Sequence, residues 1–200
     1  MRNASIGRFH VALATRAELM RHHDPVRIQG YCANCEKFGV YWSCPPFAVS
    51  PLAEFPEWTH VVVVVRRTFV EPGTTREQLI GRFLAARVGF GERVRELEAR
   101  RPRVTGLIAG HCSGCRDCTR LAGQACRAPE RMRYSLEAVG FDVSGLAEDL
   151  AGVKLHWPKS GVPEYLTTVG ALLCPDGATA AELRAEAAGE GRGDSSAETM

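Results

Sequence analysis

The sequence predicts a single α/β domain, a small central sheet with flanking helices and two cysteine-rich metal-binding loops. Three observations carry this. Val61–Val65 is an unbroken β-branched run, which suits a strand buried on both faces. Leu79, Phe83, Phe90, Val94 and Leu97 recur at helical spacing and give one long helix an apolar face. Eight cysteines fall into a group of four, a group of three and one outlier. The domain is expected over residues 1–176. Residues 177–200 are rich in Ala, Glu, Gly and Ser and read as a tail, disordered or at most a frayed helix to Ala188.

The elements follow in chain order. Residues 8–14 form a short strand, and Thr15 with Glu18 makes a capping box that starts a helix at Arg16. That helix ends before Asp24-Pro25, with His22 and His23 at its end as further candidates for a missing metal ligand. Residues 30–51 form the first ligand loop, and 51–56 a linker. Trp58–Arg67 is the central strand. Pro72-Gly73 makes a turn, and Thr74 or Thr75 caps a helix over Arg76–Arg101. Val104–Ala109 is a second strand, opening at its C-terminal end into the second ligand loop. Pro129 is placed for the first turn of a helix over Glu130–Val139 that stops at Gly140. A helix over Ser144–Leu150, a short strand over Lys154–Trp157 and a strand over Tyr165–Leu173 complete the order.

The second loop holds Cys112, Cys115, Cys118 and Cys126: a CxxCxxC run, then a fourth cysteine after seven intervening residues. Three thiolates turned inward from one tight loop repel one another unless a cation holds them. Structural zinc takes cysteines mostly in separated CxxC pairs. The CxxCxxC run is instead the spacing of cubane [4Fe–4S] clusters. The first loop holds Cys32, Cys35 and Cys44, the last followed by two prolines, which lack the N–H that a ligand loop would leave unpaired. Cys174, also followed by proline, is a candidate eighth ligand. Eight ligands complete two clusters; seven leave one iron open.

Composition narrows the function classes. In a reducing compartment eight cysteines point to metal rather than disulfides. No signal peptide and no membrane-length apolar run is visible, so the cytoplasm is the expected location. Net charge is +2, with arginines dispersed among glutamates, which argues against a nucleic-acid surface. Arg116, Arg120, Arg127, Arg131 and Arg133 crowd the second loop. They read as compensation for a net-negative cluster, or as a docking face for an acidic partner or an anionic substrate. Tyr31, Phe38, Tyr41, Trp42 and Phe47 would shield a cluster from water. The sequence has no phosphate-binding glycine loop, dinucleotide fingerprint or Ser–His–Asp signature.

The Trp42-Ser43-Cys44-Pro45-Pro46 motif resembles that of an uncharacterised bacterial and archaeal family of predicted metal-binding proteins. So does the Cys112, Cys115, Cys118, Cys126 series, followed by Arg127-x-Pro129 and by Ser135-x-Glu137-Ala138-x-Gly140. The resemblance covers roughly residues 30–175 and assigns Cys32, Cys35 and Cys44 to one metal motif and the other four cysteines to the second. It implies metal and supplies no reaction.

The leading expectation is an iron–sulfur protein with one or two [4Fe–4S] clusters that passes electrons to or within a redox partner. The alternative is a non-redox enzyme whose three-cysteine cluster exposes an open iron as Lewis acid, with His111, Asp117, Glu36 and Tyr41 as nearby candidates for acid, base or fourth ligand. A structural zinc adaptor is the third reading.

Overall fold

The computed structural model describes residues 7–156 and 162–189. Four strands form one sheet: β1 (Arg8–Thr15), β2 (His60–Phe69), β3 (Thr105–Leu107) and β4 (Tyr165–Cys174). Their order is β1-β2-β4-β3, and every pairing is antiparallel. The fold is mixed α/β, as the sequence indicates, although strand–helix alternation does not here mean a parallel sheet.

The valine run behaves as its composition dictates. Val61, Val63 and Val65 face one layer, with Phe141, Leu146 and Ala147. Val62 and Val64 face the other, with Phe90, Val94 and Leu97. Each fully buried side chain of this kind contributes about 1.5–3 kcal/mol. The first layer includes α4 (Val143–Ala151) and the second α3 (Arg76–Ala99) and α5 (Gly177–Gly189). At Gly170, on β4, an added Cβ would lie 2.6 Å from the Phe90 ring. The missing side chain is what lets α3 rest so close to the sheet.

Both capping boxes form. Thr15 starts α1 (Arg16–Met20) with Glu18, and Thr75 starts α3 with Gln78. Phe83, expected on the inner face of α3, lies instead on its outer side near Ile80, Leu84 and Val88, all partly exposed. The inner line runs through Leu79, Ala86, Phe90, Val94 and Leu97, with Arg87 and Arg95 also buried.

Other expectations are corrected. The first ligand loop begins with a helix, α2 (Pro25–Ala33), in which Asp24 caps, Pro25 occupies the first turn and Cys32 falls near the end. Residues 130–139 form turns rather than a helix. Edge strand β3 captures them: Ile108 N–H donates to Tyr134 O at 2.9 Å, and Ile108 bridges Ser135. Residues 154–156 form no strand, and Trp157 lies outside the described residues. Residues 177–189, expected to fray, form α5, which buries Ala180, Leu183 and Ala187 against the sheet. The remainder of the expected tail, 190–200, lies outside the described residues.

Candidate metal centre

The second ligand loop leaves the sheet at Gly110, whose positive φ of 65° turns the chain under Arg87. Arg87 Nη1 donates to His111 O, and its Nη2 lies 3.2 Å from His111 Nε2. Further along, Arg95 Nε donates to Arg131 O at 2.9 Å. Two buried arginines of α3 therefore fasten both ends of the cysteine loop. Within it, Thr119 Oγ1 donates to Ala125 O at 2.7 Å, which folds the span between Cys118 and Cys126 back on itself. Cys112, Cys115, Cys118 and Cys126 line one tight cavity, with about 20 Å³ open to water.

Cys32, Cys35 and Cys44 line a second cavity, a cleft of about 790 Å³ that Tyr31, His111 and Glu137 also border. The two sites share a wall. Ser43, 1% exposed, accepts the Cys112 amide through Oγ at 2.8 Å. Arg120 donates to the carbonyls of Tyr41 at 2.7 Å, Pro46 at 2.8 Å and Cys44. Its guanidinium also covers the Trp42 ring, whose Nε1 donates to Gln124 O at 3.1 Å. Tyr41 stacks on His111 with ring centres 4.3 Å apart.

The donor chemistry fits a thiolate-bound metal or cluster. All eight cysteines are free. Among the described residues no three His, Cys, Asp or Glu side chains are drawn together at metal-binding distance; the donors ring the two cavities instead. Backbone amides already address sulfur: Gly114 N–H donates to Cys112 Sγ at 3.3 Å and Lys37 N–H to Cys35 Sγ at 3.5 Å. The Arg87 guanidinium is lowered from its ordinary pKa by burial, and it lies close enough to Tyr41, Cys112 and Cys44 that their anionic forms would oppose that shift. Burial pushes the Cys44 thiol up to about 11, and burial, Glu137 and Cys35 raise Cys32. Neither ionises at neutral pH without a cation to favour the thiolate. Burial and the neighbouring Arg87 lower His111 to about 4, so its imidazole is neutral.

The remaining sequence candidates fall elsewhere. Cys174 is fully buried between the sheet and α3, where Sγ donates to Leu172 O at 3.3 Å, and it lines neither cavity. His22 and His23 join α1 to α4 and to the 135–141 turn. His22 lies 3.6 Å from Asp149, and His23 Nε2 is 3.1 Å from Val139 O. Asp117 lines the tight cavity, and Glu36 pairs with Lys37 at 3.1 Å. Of the five arginines at the loop, Arg120, Arg131 and Arg133 are committed to carbonyls, Glu92 and Glu98, whereas Arg116 extends into solvent and Arg127 is exposed at the rim of the tight cavity. Most of the local positive charge is thus structural. Sequence reasoning missed Arg87, Arg95 and Glu137. The two arginines were detectable as charges on the same helical line as Phe90 and Val94.

Two cavities lined by free thiols give the chain the donor chemistry of a metal-binding protein. The chain matches the family described as predicted metal-binding protein (DUF2284) over residues 17–174 and belongs to it. No curated protein and no solved structure matches the chain.

Proposed function

We propose that this protein is a two-centre iron–sulfur protein that transfers electrons. Cys112, Cys115, Cys118 and Cys126 hold a fully thiolate-ligated [4Fe–4S] cluster; Cys32, Cys35 and Cys44 hold a second. Cys174 stays outside both sets as a core thiol. The observation that carries this reading is the Ser43–Cys112 hydrogen bond, which makes Cys44 and Cys112 neighbours although they belong to different ligand groups. When bound, such clusters supply one-electron chemistry, with potentials set by charge, amide–sulfur bonds and solvent exposure. This chain supplies amide hydrogen bonds to sulfur, a buried guanidinium held against His111 and an aromatic wall of Tyr41 and Trp42.

A second reading has its own support. The three-cysteine group borders a cleft large enough for a small molecule, whereas the four-cysteine group does not. A centre that exposes one iron there would polarise a bound oxygen or sulfur group.

Anaerobically purified protein is expected to carry about eight irons and eight acid-labile sulfides per chain, and to take up electrons reversibly. Zinc without labile sulfide would overturn the iron–sulfur reading and leave a structural zinc scaffold. A redox-inert cluster protein whose EPR signal shifts with small ligands would favour the Lewis-acid reading over electron transfer.

Among the described residues no helix is long and apolar enough to cross a membrane.

A further inference from the structure

Glu137 occupies an unusual position for a carboxylate. It lies in the 135–140 turn, next to Leu136 at 0% exposure and near Val139 at 2%, both of which pack into the core beneath the sheet. Glu137 borders the cleft formed by Cys32, Cys35 and Cys44. The residue as a whole keeps some exposure, but its Oε2 has none and has no hydrogen-bond partner. The cations of the same cleft are committed elsewhere: Arg27 to Asp24 at 3.0 Å and Asp142 at 2.9 Å, and Lys37 to Glu36. Burial raises the pKa of this carboxyl despite hydrogen bonds from its own backbone and Ser135, and a cation beside it would favour the charged form.

The turn holds this carboxylate in place. Val139 N–H donates to Ser135 O, Gly140 N–H to Glu137 O and Ala138 N–H to Ser135 Oγ. Glu137 lies close enough to Cys32 that, after burial, its charged form raises that thiol. Three thiols and the carboxyl-bearing Glu137 therefore border a single cleft, which is the donor number of a closed metal site. The other donors bordering the cleft are engaged: His111 by Arg87 and the Tyr41 ring, and Asp142 by Arg27 and by the Ser144 and Gly145 amides.

We propose that Glu137 supplies, through its carboxylate, the fourth donor to the metal centre of Cys32, Cys35 and Cys44. The inference rests on the reading above that these cysteines bind metal. Capture of the metal draws exposed Cys35 toward Cys32, Cys44 and Glu137. A hard carboxylate among soft thiolates is the most readily exchanged of the four ligands. The cleft gives an incoming molecule access to that ligand. The centre is then closed at rest and opens by carboxylate displacement, whereas the four-thiolate centre stays closed.

The test compares full-length wild type with Glu137→Gln and Glu137→Cys, purified anaerobically. Metal and labile sulfide are measured per chain during competition with a chelator, and EPR spectra are recorded after mild oxidation. Glu137→Gln is expected to release the metal of one centre on the order of 10–100-fold more readily, at least the effect of losing an outer-shell partner. If the metal is iron, a three-iron signal appears. Glu137→Cys is expected to restore retention with an altered spectrum. Glu137→Gln retaining metal like wild type would overturn the proposal. So would equal loss in both variants, which would assign Glu137 a folding role. Zinc without sulfide in wild type overturns the iron–sulfur reading alone, because the chelator comparison still decides whether Glu137 is a ligand.

Discussion

Ser43 Oγ accepts the amide hydrogen of Cys112 at 2.8 Å, joining the two cysteine loops across 69 residues of sequence. The bond is part-buried, so its loss leaves an amide with little access to water. Ser43→Ala is expected to destabilise the metal-loaded protein by about 1–3 kcal/mol, the cost of an orphaned buried donor. Urea unfolding followed by circular dichroism measures this. A change below about 0.5 kcal/mol, the range of an ordinary surface substitution, would show that the loops are held together by other contacts.

Arg120 is the second tie, donating to three carbonyls around Cys44. Lysine has the charge but not the planar fork that reaches all three. Each lost charged hydrogen bond weighs about 1.5–3 kcal/mol. Arg120→Lys should therefore open residues 41–46 at least about tenfold more often. Hydrogen exchange of those amides reads the effect directly, and unchanged exchange would refute it.

The thiols should separate by chemistry. Cys174, buried in an apolar layer, has its thiol pushed up to about 12, so at pH 8 it is protonated and inaccessible. Metal-free native protein treated with iodoacetamide should leave Cys174 unlabelled until it unfolds. Cys174→Ala should keep its full metal content, whereas Cys115→Ala should lose the metal of its centre. Metal loss in Cys174→Ala would return that residue to the ligand set.

Gly140 closes the turn that presents Glu137, with a φ of 95°. An added Cβ would lie 2.9 Å from Pro25 Cβ and 3.0 Å from His23 Nε2. Strain and clash add, and Gly140→Ala is expected to cost at least about 1–3 kcal/mol. A lowered Tm without change in the metal-to-protein ratio of the folded fraction is the expected signature.

Much of this was legible in the sequence where local chemistry decides. Five adjacent valines can only be a strand with both faces covered, and Thr75 with Gln78 marks the start of α3. The cysteine spacings mark out the same two groups that line the two cavities, because ligand loops are short. What was hidden depends on tertiary pairing. Asp24 and Pro25 are good helix-start signals, yet Gly30, Tyr31 and the CxxC spacing pointed to a loop, so α2 was missed. The 130–139 stretch has a proline suited to a helix start, but edge strand β3 claims Tyr134 and Ser135. Glu137 was legible only as part of a motif, since nothing local reveals that the residues around it are core.

The helix over residues 177–189 and the strand over 8–15 lie outside the family match, and they need each other. Phe9, Val11 and Leu13 pack into the same layer as Ala180, Leu183 and Ala187. Arg100 and Arg101 hold Glu186 at 2.6 and 2.8 Å, pinning that helix to the end of α3. A chain trimmed to residues 17–174 would open the edge of β2 and bare Val62 and Val64 to water, a template for strand-to-strand aggregation. The segment by which relatives are recognised is therefore smaller than the packed unit, and trimming the flanks is expected to lower soluble expression.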